Sequence, residues 1–297
     1  MDHKALISSL SPDHRAALLA KSNRAGLCHL AIHWGLIATL GWLISAGVPG
    51  WQVLVLPQGV LIIFCFTLQH ECVHKTPFRT GWVNEVVMRV CAVLVVLPPT
   101  HFRYFHLAHH RHTNDPDHDP ELEGQGPDTW ARFFLTVTGV PVWKYHVSVL
   151  LRNAAGRCRD DYVPRNRRGA IQREAWAMLA IYGAVIAALM LGQTWLFWCW
   201  ILPAILGQPF LRLYLMAEHG RCPSVANMLE NTRTTYTNRI VRFLAWNMPY
   251  HAEHHAYPSV PFHKLPEFHR VAADHLVHTS KGYTGFHRAV AADRTWG

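Results

Sequence analysis

Twenty-two of the 297 residues are histidines, and many recur at spacings that suit metal binding. Residues three or four positions apart on a helix share one face, so H-x-x-x-H and H-x-x-H-H each present two or three imidazoles together. We call each such motif a histidine box. The candidate metal-binding set comprises one H-x-x-x-H box, two H-x-x-H-H boxes and an isolated histidine in the stretch MAEHG. Its members are His70, His74, His106, His109, His110, His219, His251, His254 and His255. These exceed the four ligands of one zinc, whereas two metals with four or five nitrogen ligands each would use them all.

The first box also reads H-E-C-V-H, the pattern in which zinc metalloproteases use two histidines as ligands and the glutamate, here Glu71, as general base. The extended motif places Gly and a third His farther along, and this chain has Pro77 and Thr80 there. Intramembrane metalloproteases add an Asp in another span, but the later apolar segments contain none. The sequence therefore favours a two-metal centre with Glu71 in a supporting role. Imidazole suits iron, copper, zinc and nickel alike, so the residues alone leave the metal open.

The apolar segments predict an all-α integral membrane protein. Only 16% of the residues are charged, against about 25% in a typical soluble domain. No Lys, Arg, Asp or Glu occurs at residues 25–70 or 175–211, and each stretch can hold a helical hairpin because one span needs roughly 20 apolar residues. The stretches VPG at 48–50 and LGQT at 191–194 are the expected turns. The four predicted transmembrane helices are approximately Leu27–Ser45, Trp51–Gln69, Glu174–Leu191 and Thr194–Leu213.

The basic residues predict which side of the membrane each segment faces. Neither turn is charged, whereas the segment 151–173 alone contains seven arginines. Positive loops stay in the cytoplasm, so both termini and the nine histidines are expected there, at the inner membrane if the chain is bacterial. The net charge of +9 fits this topology and attraction to membrane lipids, and it also suits docking of an acidic redox partner. The sequence contains no nucleic-acid-binding module.

We expect a single domain over residues 1–297, with interfacial helices at Val86–Pro99 and Phe133–Leu151 because these stretches are short or interrupted. Its expected parts are a cytoplasmic N-terminal segment (1–26), a first hairpin (27–69), a cytoplasmic or interfacial segment (70–173), a second hairpin (174–213) and a histidine-rich cytoplasmic cap (214–297). Residues 1–24 lack the pattern of a cleaved signal peptide. The seven cysteines are scattered singly, so no disulfide framework is expected.

The order of the boxes resembles the membrane fatty acid desaturase superfamily. The stretches HHRHTNDPDHDPE and WNMPYHAEHHAYP are similar to that family's second and third boxes, and the resemblance extends from about Leu27 to Pro266. It implies that the nine histidines bind two iron ions that activate O₂. Some members use an Asn four residues before the isolated histidine, through water. This chain has Leu215 there, and Asn247, four residues before His251, is a candidate substitute.

Acidic and amide side chains near the boxes are expected to accept the second ring N–H of the ligands and so orient them. The candidates are Glu71, Glu218, Glu253, Asp115, Asn114 and Asn247. His29 and His33 also form H-x-x-x-H, but we expect interfacial side chains because the helix has no acidic neighbours. His101 and His112 flank the second box and are further candidates for contact with metal or substrate.

The resemblance implies an O₂-dependent di-iron oxidoreductase that desaturates an aliphatic chain, with a fatty acyl lipid as the expected substrate. Hydroxylation or ketolation of a lipid or carotenoid, and desaturation of a small polar metabolite, use the same ligands and stay open. Electrons must come from a ferredoxin, a rubredoxin or a cytochrome b5-like donor, because the chain has no haem, iron–sulfur or dinucleotide motif. The alternative from another class is a membrane metal-binding or transport protein, whose ligands would lie at mid-membrane depth.

Overall fold

The computed structural model describes residues 1–122, 127 and 129–293, which are largely helical. Parts of the predicted segment 70–173 (residues 123–126 and 128) and of the cap (294–297) lie outside the described residues. The helices of the first half are α1 (His3–Ser9), α2 (Pro12–Leu18), α3 (Asn23–Ser45), α4 (Val55–Ile63), α5 (Cys65–Val73), α6 (Gly81–Val95), α7 (Pro99–His112) and α8 (Trp130–Val137). Those of the second half are α9 (Val140–Ala154), α10 (Arg168–Met190), α11 (Leu202–His219), α12 (Met228–Asn231), α13 (Arg239–Leu244), α14 (His251–Ala256), α15 (Leu265–Ala272) and α16 (Gly282–Asp293).

Among the described residues, four helical stretches are long and apolar enough to cross a membrane; they contain the first two predicted spans and overlap most of the other two. Their bounds are Pro12–Ser45, Trp51–Val73, Arg165–Met190 and Phe197–His219. The pairs α6–α7 and α8–α9 bend by 98° and 59°, and the number of possible spans rises to six if each bent pair is one span. The turns fall at the predicted places, where Gly50 and Gly192 adopt positive φ angles of 76° and 87°. Glycine enters this region of φ without a steric penalty.

Helices α4 and α11 cross at two glycines that bring their backbones into contact. A Cβ atom added to Gly59 would lie 2.1 Å from the carbonyl oxygen of Pro203, and one added to Gly207 would lie 2.3 Å from the carbonyl oxygen of Gly59. Small residues at such crossings let membrane helices approach closely. The contact brings together the two helical stretches that end at the first histidine box and at the isolated histidine.

The C-terminal part of the chain folds over these helix ends around a core that includes Trp246 and Phe268, both fully buried. It also contains a two-stranded parallel sheet of β1 (Arg233–Tyr236) and β2 (His278–Lys281), in which Arg233 pairs with His278. The all-α prediction was wrong at this point. Each strand has only four residues, too few for an alternating pattern to be recognised in the sequence.

His29 and His33 hold helix α3 against the rest of the protein. Nε2 of His33 donates to the carbonyl oxygen of Leu61 at 2.9 Å, and Nδ1 accepts from the indole of Trp246 at 3.3 Å. His33 is therefore a fully buried structural residue and not an interfacial side chain. Nε2 of His29 donates to the carbonyl oxygen of Phe243 at 2.8 Å, which satisfies that nitrogen without a metal.

Candidate metal centre

The structure brings all nine predicted histidines into one largely buried cluster that divides into two groups. In the first group, one nitrogen of each ring lies within 4.8 Å of one nitrogen of every other ring. This group consists of His70, His74, His106, His110 and His254. The second group obeys the same limit and consists of His109, His219 and His255. His251 joins the second group, since its Nε2 atom lies 3.1 Å from Nε2 of His219.

Four helices deliver these side chains. The first box ends α5, the second lies in the last turns of α7, and His219 is the last residue of α11. The third box forms the short helix α14, which starts at His251. Each box thus keeps the helical spacing that the sequence predicts, and the helix ends converge from segments that are far apart in the chain.

The geometry of the imidazoles fits bound metal ions. Nε2 of His74 lies 2.9 Å from Nε2 of His106, and Nε2 of His109 lies 3.2 Å from Nε2 of His219. Two ligands at right angles, each about 2.1 Å from one metal, would place their nitrogens about 3 Å apart. Within the described part of the chain, both ring nitrogens of His110 and His254 are buried without a hydrogen-bond partner. Unpartnered buried polar atoms are costly, and a metal ion in the first group would take one nitrogen of each of these two rings as a ligand.

Burial also keeps the third box in the form that binds metal. Burial, followed by the charges of His70 and His74, lowers the pKa of His254 well below its ordinary value. Burial and neighbouring imidazoles act on the pKa of His255 in the same way, and burial lowers that of His74 to about 3. These rings are therefore neutral near pH 7, which is the protonation state of a metal ligand.

Several ligand rings are oriented through their second nitrogen. Nδ1 of His109 donates to Asp119 at 3.0 Å, and Nδ1 of His255 lies 3.1 Å from the hydroxyl oxygen of Thr113. Among the predicted supporting residues, Glu218 does lie beside a ligand, with its Oε1 atom 3.4 Å from Nδ1 of His251. Asp119 and Thr113 were not singled out from the sequence. The only signal for Asp119 was its place in the HHRHTNDPDHDPE stretch, ten residues beyond its histidine.

Glu71 and Glu253 have other partners. The carboxylate of Glu71 accepts a hydrogen bond from the hydroxyl of Thr76, and Glu253 pairs with His269 and accepts from Thr234. Both carboxylates lie inside a histidine box, and consecutive residues of a helix point about 100° apart. Their side chains are therefore turned away from the ligand face and brace the helices that carry the boxes.

Asn247 also lies elsewhere than its position in the sequence indicates. Its amide donates to the carbonyl oxygen of Phe262 at 3.0 Å. The backbone turns sharply at Trp246 and Asn247, which both have positive φ angles, of 50° and 58°. Because the chain is not helical here, Asn247 does not share a face with His251 in spite of the four-residue spacing.

Three further candidates pair away from the ligand rings. Asp115 accepts from Nδ1 of His118 at 2.9 Å on the surface, and Nδ1 of His112 lies 4.0 Å from the same carboxylate oxygen. Asn114 donates its backbone N–H to Asp119 at 2.8 Å and so helps to place that carboxylate. Asn114 thus acts on the site through Asp119 and not through a ligand directly.

A cavity of about 530 Å³ reaches the histidine cluster. Five of the nine histidines line one end of it, and its remaining wall is mostly apolar. Leu215, which replaces the Asn of some desaturases, contributes to that apolar wall, as do Phe66 and Phe105. His101 also lines the cavity, but its Nε2 atom lies 3.1 Å from Asp160 and not beside a ligand ring. The volume falls in the range of roughly 300–1,000 Å³ that is usual for ligand pockets.

Comparison with known proteins agrees with this architecture. The family model for fatty acid desaturases matches residues 47–286, which contain all nine histidines. The chain belongs to the fatty acid desaturase family. As a desaturase-family chain with four to six apolar helices, it is a membrane protein.

Individual relatives are distant. The chain is 27% identical over 193 residues to a bifunctional fatty acid conjugase/Delta(12)-oleate desaturase from Punica granatum, a match that covers 57% of this chain and 48% of the relative. It is 26% identical over 117 residues to an sn-1 oleoyl-lipid 12-desaturase from Picosynechococcus sp., covering 37% and 32%. It is 23% identical over 122 residues to an sn-1 acyl-lipid omega-3 desaturase (ferredoxin) from Nostoc sp., covering 37% and 34%. Each match therefore covers less than half of the relative's length.

Proposed function

We propose that this protein is a membrane lipid desaturase that introduces a double bond into an acyl chain held in the cavity. Membership of the desaturase family supports the reaction class, and the apolar wall of the cavity supports an aliphatic substrate. The observation that carries the proposal is the convergence of two groups of buried histidines at one end of that cavity.

The two histidine groups would hold two iron ions. His70, His74, His106, His110 and His254 would bind one, and His109, His219, His251 and His255 the other. Bound iron would supply the activation of O₂ that the oxidation of an unactivated C–H bond requires. The ligand set itself favours a redox role for the metals, because the histidines lie at helix ends around a cavity and not in mid-span, where a transport site would lie.

The protein's own residues would prepare the site for this chemistry. Phe66, Phe105 and Leu215 would keep the acyl chain straight and exclude water from the carbon to be oxidised. Asp119 would fix the ring of His109, and Thr113 that of His255. Glu71, Glu253 and Asn247 would act indirectly. They would stabilise the segments that carry the first and third boxes and would not contact the ligand rings.

We further propose that the spans form two hairpins, with both termini, the cap and the metal centre on the cytoplasmic side. The arginine-rich segment 151–173 supports this orientation, since positive loops remain in the cytoplasm. Electrons would come from an external donor of the ferredoxin, rubredoxin or cytochrome b5 type. One relative is named as ferredoxin-dependent, and the basic segment would suit an acidic donor.

Metal analysis and lipid profiling test the proposal together. We expect about two iron ions per chain in the purified protein, and a marked loss of iron in His254→Ala. Cells that express the wild type should accumulate an unsaturated lipid that His254→Ala cells lack. A hydroxylated product would identify the alternative reaction on the same ligands. A single exchangeable zinc ion and no altered lipid would contradict the proposal.

A further inference from the structure

Arg212 is a cation in the wall of the same cavity that reaches the histidine cluster. It lies on α11 seven residues before His219, and Leu215 lies between them on the same face. Residues i, i+3 and i+7 of a helix are aligned, and seven residues span about 10 Å along the axis. The cavity therefore follows one face of α11 from Arg212, near the membrane end, to the metal centre.

The guanidinium of Arg212 has no ion pair or hydrogen bond among the described residues, and its Nε atom is buried without a partner. Two carboxylates share the cavity wall with it, but each lies beside a histidine. Oε2 of Glu121 lies 3.2 Å from Nδ1 of His109, and Oε1 of Glu218 lies 3.4 Å from Nδ1 of His251. Both glutamates act on Arg212 electrostatically, though neither contacts it.

An uncontacted cation in an apolar cavity of a membrane protein is costly, and such residues usually mark a substrate path. Much of the cavity wall is apolar and includes Phe105, Val142 and Val149, and the imidazole of His146 also lines it. The cavity thus combines a cationic point, an apolar wall and a metal-binding end. A ligand that matches all three is an aliphatic chain that ends in an anionic group.

We propose that Arg212 binds the anionic group of the substrate, a carboxylate or a phosphate, while the aliphatic chain extends along α11 to the histidines. This inference rests on the proposed function, because it takes the chain in the cavity to be the one oxidised. A guanidinium suits the role, since its planar donors bind carboxylate or phosphate in a bidentate manner. The distance between Arg212 and the histidine cluster then determines which carbon of the chain, counted from the anionic group, is oxidised.

Binding of defined amphiphiles to the full-length protein in detergent tests the proposal. The probes are oleate, 1-oleoyl-lysophosphatidate and uncharged oleyl alcohol, measured as competitors of a fluorescent fatty acid. We expect the wild type to bind at least one anion about tenfold or more tightly than the alcohol, because a charge-assisted hydrogen bond contributes that much. The anion whose affinity exceeds that of oleyl alcohol by the larger factor shows whether the site recognises a carboxylate or a phosphate.

Variants of Arg212 test whether this residue causes the preference for the anion. Arg212→Met should lose about tenfold in affinity for the preferred anion and bind oleyl alcohol as the wild type does, and Arg212→Lys should retain part of the preference. Lys144→Met is the matched control, since Lys144 is exposed on α9 and does not line the cavity. It should behave as the wild type. Unchanged alcohol binding also shows that the variant is folded.

Two results would overturn the inference: a wild type that binds all three probes equally, or an Arg212→Met protein that keeps the anion preference. Binding requires no turnover, so the result is independent of the lipid profile. If anion binding depends on Arg212 but no unsaturated lipid appears in cells, the proposed function fails and the anion site stands.

Discussion

Nδ1 of His109 donates to the buried carboxylate of Asp119 at 3.0 Å, although ten residues separate the two in the chain. The same carboxylate accepts the backbone N–H groups of Asn114 and Glu121, at 2.8 and 2.9 Å. The loop after the second box is therefore folded around Asp119. Together with Glu121, whose Oε2 atom lies 3.2 Å from the same nitrogen, Asp119 joins the loop to a ligand of the second histidine group.

Replacing Asp119 should weaken metal binding more than it weakens the fold. Loss of a carboxylate behind a ligand histidine typically lowers metal affinity about 10–100-fold. We expect Asp119→Asn to lose iron at chelator concentrations that leave the wild type loaded, as measured by metal analysis after dialysis. Asp117→Asn is the control, because Asp117 is exposed on the same loop. Equal iron retention in Asp119→Asn and Asp117→Asn would contradict the assigned role.

The crossing of α4 and α11 should tolerate no side chain at Gly59. A Cβ atom there would lie 2.1 Å from a backbone carbonyl oxygen, so Gly59→Ala must separate the two helices. Such overpacking costs about 1–3 kcal/mol or more. We expect a lower unfolding temperature and a poor yield of monodisperse protein. Gly183→Ala in α10 meets open space and should leave both quantities unchanged. A stable, well-behaved Gly59→Ala protein would show that the helices do not cross in this way.

Glu253 and His269 should stabilise the third box as a pair. Glu253 is fully buried, and its other contact is the hydroxyl of Thr234. Removing the imidazole leaves an oxygen of the buried Glu253 side chain without its hydrogen-bond partner, which costs about 1–3 kcal/mol. His269→Ala should therefore lower the unfolding temperature of the metal-free protein. His275→Ala, six residues farther along the chain, should have little effect. If both variants unfold at the same temperature as the wild type, the pair has no such role.

Asp160 should make stability depend on pH. Its carboxylate lies 2.7 Å from Arg152 and 3.1 Å from Nε2 of His101. Burial alone would raise the pKa of Asp160, but His101 and Arg152 outweigh burial and hold the pKa below its ordinary value of 3.8. A lowered pKa stabilises the fold above about pH 4, and this contribution is lost as the pH falls through the folded-state pKa.

Unfolding temperatures between pH 7 and pH 3 measure this effect. The wild type should exceed Asp160→Asn by several degrees at pH 7, since about 1 kcal/mol shifts the unfolding temperature by roughly 2–4 °C. The difference in unfolding temperature between the two proteins should become smaller as the solution is acidified below pH 4. The exposed neighbour offers a control, and Asp161→Asn should follow the wild type throughout. If the difference in unfolding temperature between wild type and Asp160→Asn does not change with pH, the ion pair is not its cause.

The histidine cluster was predictable because helical spacing is local. His70 and His74 are one turn apart, so the sequence alone places them together, and the apolar segments predict that the helix ends meet. Supporting contacts were not predictable in this way. Asp119 reaches His109 through a non-helical loop, and the turn at Asn247 breaks the spacing that made it a candidate. The pairing of Arg233 with His278 joins strands 45 residues apart and leaves no periodic signal.

Both histidine groups include rings from α14, which begins at His251. A nascent chain that has not yet reached this residue can complete neither group, however well its membrane helices have already assembled. Both groups are therefore complete only after His255 has left the ribosome. Metal supplied before that point would meet only partial sites. The position of the third box in the sequence therefore sets the earliest point at which both sites can be complete.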